Sequence, residues 1–211
     1  MANELDFSLQ FADVTRDNTI EAMASRLWDR HEGQLVLVGH SMGARVAIEM
    51  VRQQPSRILG LVLANTGHTP LQEGEREKRQ AKIDLGHRDM KALVVSWLPS
   101  MLAEGREQDV GLMADLTDMA LGVGAVAHQL QIEALISRPN ATVQLPAITC
   151  PVLLVTGDKD RWSPVAQHQE MFELLPCAEL HVVKDAGHFM PIEQPESTNS
   201  IISNWLEKHL D

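Results

Sequence analysis

Ser41 stands at the centre of Gly39-His40-Ser41-Met42-Gly43, a G-x-S-x-G turn between the apolar run Leu35–Val38 and a helical pattern reaching Val51. A strand that reverses sharply into a helix forces its tip residue into a strained backbone conformation. Gly39 and Gly43 are expected to leave no side chains where strand and helix nearly touch. The strain lifts the hydroxyl clear of the fold, and the backbone N–H of Met42, at the start of the helix, would point at the oxygen of a carbonyl under attack. Two further groups suit this serine: Asp160 in GDKDRWSP and His188 in KDAGHFMP. An imidazole can take the proton of an alcohol, and a carboxylate can hold that imidazole in the right tautomer. Taken singly, each is weak, because an aspartate in a turn is usually a turn residue. Asp158 competes with Asp160 for the acid role. The order serine, aspartate, histidine is the one that accompanies this kind of turn.

Positioning such groups requires a sheet. Residues 5–14 alternate Leu5, Phe7, Leu9 and Phe11 with polar residues, which predicts a period-2 strand. A helix follows, with Asn18 as its cap, Glu21 three residues on, and Ile20, Met23, Ala24, Leu27 and Trp28 as its buried stripe; Gly33 ends it. Residues 35–38 and 58–64 read as buried strands, as do 152–156 and 179–183. Helices are predicted after Ser41, from Ser163 or Pro164 to near Leu175, and over 195–210. Alternating strands and helices imply parallel pairing with right-handed crossovers. Ser41, Asp160 and His188 would then each lie just past the C-terminal end of a strand, the edge at which open α/β sheets bind ligands. From about Leu71 to Leu145 no strand is visible. Three or four helices are expected there, punctuated by Gly86, Pro99, Gly105 and Pro139, with stripes at Met90, Leu93, Val94, Trp97 and at Met113, Leu116, Met119, Ala120. Most of these side chains read as helix packing, while some should face the site that such a cap roofs. The expected division is a core of 1–69 and 146–211 with a helical cap over 70–145.

Composition narrows the classes. The 211 residues suffice for one domain with a sizeable core, and 44% apolar with 22% charged residues is ordinary for a globular protein. A net charge of −11 argues against nucleic acid or an anionic membrane as a partner. No apolar run of the sequence reads as a membrane span, and the start MANELDFSLQ lacks signal-peptide blocks, so a cytoplasmic location is expected. Cys150 and Cys177 each precede a strand and are expected as reduced thiols near one sheet edge. The nine histidines show no zinc spacing, and Asn140-Ala141-Thr142 reads as a loop.

With GHSMGA at 39–44, LANT at 63–66, GDKDRWSP at 157–164 and AGHFMPIEQP at 186–195, the chain resembles the α/β-hydrolase superfamily, in particular its small capped esterases, lactonases and carbon–carbon hydrolases. The likeness covers nearly the whole chain. It implies Ser41 as nucleophile, Asp160 as acid, His188 as base and Met42 N–H as oxyanion donor. It further implies a small-molecule substrate, an ester, thioester, lactone or activated ketone, with no metal and no organic cofactor. The departure is at the front. Family members carry two or three strands before the region matching residues 5–14, and a loop after one of them donates the second oxyanion N–H; nothing here matches that loop. Three arrangements fit: a shortened sheet, residues 5–12 sliding beside 35–38 so that Asp13–Asp17 supplies an N–H, or a second chain pairing with the open edge as in a homo-oligomer. The alternative function is a hydrolase-like binding or scaffold protein, or a remnant, with impaired catalysis.

Overall fold

The computed structural model describes residues 8–210. Four apolar runs form one parallel sheet: β1 (Leu35–His40), β2 (Ile58–Ala64), β3 (Val152–Gly157) and β4 (Ala178–Val183), in the spatial order of the chain. Leu61, Val62 and Leu63 of β2 and Val152 to Val155 of β3 are buried, as expected for central strands covered on both faces. The outer strands are partly open, with Val38 of β1 59% and Val182 of β4 45% exposed.

Helices cover both faces. On one, α1 (Ile20–Trp28), α2 (Met42–Gln53) and α6 (Val165–Leu174) pack Met23, Leu27, Ile48 and Met171 against Leu61, Leu63 and Leu154. On the other, α8 (Pro195–Leu210), preceded by the single turn α7 (Met190–Glu193), lays Trp205 against Val62, Leu153 and Val155. Between β2 and β3 the chain leaves the sheet for α3 (Glu75–Arg88), α4 (Met90–Met101) and α5 (Val110–Ile136), where Val94, Leu98, Leu102, Leu116 and Ala120 form a separate apolar cluster.

The strand expected over 5–14 is not found over 8–14. This stretch is irregular and leaves Leu9 80% and Phe11 90% exposed; residues 5–7 lie outside the described residues. Alternation creates a strand only where a neighbour accepts its hydrogen bonds, and β1 receives none from this segment. The cap of α1 is Thr19, whose side chain accepts from Ala22 N–H, and not Asn18, which instead donates to Glu133 of α5. The helix ends at Trp28, ahead of Gly33. Gly86 does not break α3; it is buried there, where an added Cβ would sit 3.1 Å from Leu93. Pro99 likewise lies within α4. The break between these helices is at Asp89, whose carboxylate accepts from Ala92 N–H.

α5 is long and apolar enough to cross a membrane, and little of it is buried. Gly124, at φ 75° and ψ 162°, interrupts it. Each half is shorter than the roughly 20 residues a helical span requires. Cys150 and Cys177 are free thiols at the same end of the sheet, where Cys177 carbonyl accepts from Val152 N–H.

Candidate active site

The turn after β1 places Ser41 at φ 52° and ψ −115°, outside the usual regions for a residue with a side chain. Its surroundings hold it there. Ser41 N–H donates to Ala64 carbonyl (2.9 Å), and Thr66 hydroxyl donates to Ser41 carbonyl (2.9 Å), tying the elbow to the end of β2. A Cβ on Gly39 would lie 2.5 Å from the Ala44 Cα, so strand and helix meet at that glycine. Gly43 does not share this role: space is open beside it. Met42 opens α2, so its N–H has no acceptor within the helix.

His188 follows β4. Its Nε2 lies 2.9 Å from Ser41 Oγ and its Nδ1 2.9 Å from Asp160 Oδ2. A carboxylate only accepts, so Nδ1 carries the proton of the neutral ring, Nε2 is left as an acceptor, and the Ser41 hydroxyl donates to it. His188 N–H donates to Met101 carbonyl (2.6 Å), and its own carbonyl accepts from His40 Nε2 (2.7 Å). Burial, and next the neighbouring His188 charge, push His40 down to about 4, so it donates as a neutral ring.

Asp160 follows β3 with its side chain fully buried. Burial alone would raise its pKa. His188, Asn65 Nδ2 (2.8 Å to Oδ2) and the N–H groups of Trp162 and Ser163 (each 2.8 Å to Oδ1) outweigh that and hold it at about 2. Asp158 takes no part in this network; it pairs with Lys159 at 3.6 Å. Ser41, Asp160 and His188, three residues from distant segments, are therefore brought into one hydrogen-bonded line.

Other contributors were not legible in advance. Asn65, at φ 47°, donates to Asp160 and to Gly187 carbonyl. It ends an apolar strand in a left-handed conformation that asparagine tolerates. Glu193 joins cap to core, accepting from Gly187 N–H (3.0 Å) on one oxygen and Ala103 N–H (2.8 Å) on the other. His168, fully buried, accepts from Thr66 N–H (3.1 Å). Nothing in the spacing of these residues points to such partners. The loop 13–17 makes its side-chain bonds within itself and to Arg26 of α1, through Asp17 and the Asp13 carbonyl, and none to the Ser41 turn.

Above the line lies a cavity of about 570 Å³. Ser41, Met42 and His188 form its floor, while Trp97 and Met101 of α4 and Ile132 and Leu135 of α5 supply apolar walls. Among the described residues no group of three histidine, cysteine, aspartate or glutamate side chains is placed to hold a metal ion.

The model of the alpha/beta hydrolase family matches residues 3–201. The chain belongs to that family. A Bacillus subtilis protein provisionally named 2-succinyl-6-hydroxy-2,4-cyclohexadiene-1-carboxylate synthase is 30% identical over 81% of this chain and 65% of its own length. The sn-1-specific diacylglycerol lipase ABHD11 of Danio rerio is 23% identical over 92% of this chain and 64% of its own. This hydrolase-family chain thus spans about 65% of the length of the curated relatives it matches. Among solved structures, a thermophilic esterase from Thermogutta terrifontis superposes with a TM-score of 0.84 at 29% identity, covering 92% of this chain and 74% of that one. The enol-lactonase from Burkholderia xenovorans LB400, at 21% identity, shares the fold with a TM-score of 0.80 over 89% of this chain and 73% of that one.

Proposed function

We propose that this alpha/beta hydrolase family member is a serine hydrolase that cleaves a small carboxylic ester, lactone, thioester or activated carbon–carbon bond through an acyl-enzyme on Ser41. The observation that carries the reading is the continuous line Ser41–His188–Asp160, each contact 2.9 Å, on the floor of a cavity. In the first step Ser41 Oγ bonds to the substrate carbonyl carbon while its proton passes to His188 Nε2. Asp160 stabilises the imidazolium, and Met42 N–H donates to the oxyanion. His188 then protonates the leaving group as its bond to carbon breaks. Water repeats the sequence and frees Ser41. The apolar walls suit the carbon skeleton of a small substrate.

Relatives favour this range of bonds: the similar structures include an esterase and an enol-lactonase, and a Pseudomonas relative, 25% identical, is a 2-hydroxy-6-oxononadienedioate/2-hydroxy-6-oxononatrienedioate hydrolase. Ser41→Ala is expected to lower the hydrolysis of short 4-nitrophenyl esters by about 10⁴-fold or more and to abolish labelling by a fluorophosphonate. Unchanged turnover in that variant overturns the proposal.

A second reading, a binding protein of hydrolase form, is favoured by the bonding of loop 13–17 to Arg26 and not to the elbow. With Met42 as the sole oxyanion donor among the described residues, a deficit of about 10²–10³ in rate is expected. Fluorophosphonate labelling of the unaltered protein separates the two, because only an activated serine reacts.

A further inference from the structure

The cavity over Ser41 is cationic in a protein whose net charge is −11. At its exposed mouth Lys78 and Glu73 offset one another. Inside, Glu75 is the one other carboxylate among the described lining residues, and it is already shared. Arg138 holds both its oxygens (Oε1 at 3.0 Å, Oε2 at 2.7 Å), and Arg79 reaches Oε1 at 2.6 Å. Arg45, on the first turn of α2, has no carboxylate partner among the described residues; its guanidinium donates to Thr69 carbonyl at 3.2 Å. That carbonyl also accepts from Arg138 Nε (3.1 Å), so holding the loop does not need a second charge there. Burial, and then the charges of Arg138 and Arg79, depress Arg45 to about 9, which leaves it charged at neutral pH.

Lys82 of α3 enters from the cap side. It is half-buried and likewise has no carboxylate among the described residues. Its ammonium lies 4.9 Å from the centre of the Trp162 ring, which in turn lies 6.1 Å from the centre of the His188 ring. Burial and Arg79 lower its pKa. Two cations without a carboxylate partner among the described residues, one on α2 and one on α3, thus line the same cavity as Ser41. Desolvated charge of one sign is unfavourable unless a counter-charge enters.

The geometry points to a substrate that carries a carboxylate, bound by Arg45 and Lys82 while its reacting carbonyl lies at Ser41. This inference rests on the reading of Ser41 as nucleophile for the placement of the carbonyl, and on the charges of the cavity for the carboxylate. A planar carboxylate can accept from a guanidinium edge and an ammonium together, in a cavity whose walls include Trp97 and Trp162. The surrounding field also concentrates anions over the serine although the whole molecule repels them.

The test is calorimetric titration of Ser41→Ala with monomethyl glutarate and with methyl 4-carbamoylbutanoate, two esters of one shape that differ in charge. The charged ester is expected to bind at least tenfold more tightly. Adding Arg45→Gln or Lys82→Met should each weaken the charged ester at least tenfold and leave the neutral one little changed. Two independent variants, each checked for an unaltered circular dichroism melt, guard against loss of fold in either. Equal binding of the two esters overturns the inference, and tighter binding of inorganic phosphate than of the charged ester overturns its assignment to a carboxylate. Fluorophosphonate labelling of the unaltered protein is read beside the titration. Labelling without charge preference removes the anion site alone, whereas charge preference without labelling removes the nucleophile reading and leaves the anion site.

Discussion

Asp160 accepts from four donors at once, and three of them lie in positions that a search for an acid would not examine. Trp162 and Ser163 reach back along the chain to Oδ1, and Asn65 comes from another strand to share Oδ2 with His188. A hydrogen bond to a charged group is worth about 1.5–3 kcal/mol, so the charge on Asp160 depends on all of them. Asn65→Ala is expected to lower kcat by about tenfold with KM little changed, because Asn65 touches the acid and not the cavity. Asn65→Asp, which faces Asp160 with a second carboxylate, should lower it further. Steady-state kinetics on a short ester check both. The choice of Asp160 over Asp158 follows from the family resemblance, but its donors do not: Asn65 and Asp160 meet only because β2 and β3 are neighbours with their ends in register.

At the scale of the element, the elbow separates two glycines that look alike in G-x-S-x-G. Gly39 is pressed against Ala44, and Gly43 faces open space. A methyl group 2.5 Å from a backbone atom must displace the helix. Gly39→Ala is therefore expected to destabilise the protein by more than about 2 kcal/mol in chemical denaturation. Gly43→Ala sits in a helix with room around it and should be neutral or stabilising by up to about 1 kcal/mol. The apolar runs of β2 and β3 were readable because burial on both faces demands unbroken hydrophobic stretches. The alternation in residues 8–14 and the glycine at 86 misled for a common reason. Local pattern states what a segment can do, and a strand partner or a packed neighbour decides whether it does so.

At the scale of the whole molecule, the site joins three bodies. His188 donates to Met101 at the end of α4, accepts from His40 on the sheet, and is followed by Glu193, which grips Ala103 and Gly187 together. Burial, against the bonds from Ala103 and Gly187, raises the pKa of Glu193, so cap and core are linked by a carboxylate that acid neutralises early. His40 adds a second acid sensitivity. Folded, it stays neutral down to about 4, whereas the unfolded chain binds a proton below about 6.5. Stability linked to His40 is thus fully present above 6.5 and is lost as pH falls from there towards 4, by on the order of 2–3 kcal/mol. His40→Gln, which keeps a donor for His188 carbonyl but cannot titrate, should remove that part of the slope in urea unfolding measured between pH 7 and pH 4.

From the sequence alone came the parallel α/β frame, the helical insertion and the three chemical groups past the strand ends, because periodicity and turn chemistry are local properties carried by neighbouring residues. What the tertiary structure decided were the partners of those groups: Asn65 on Asp160, His40 on the His188 carbonyl, and the cations of α2 and α3 facing one cavity. These are meetings between residues far apart in the chain, and which of them touch is set by strand order, register and the docking of the cap, none of which any one segment contains.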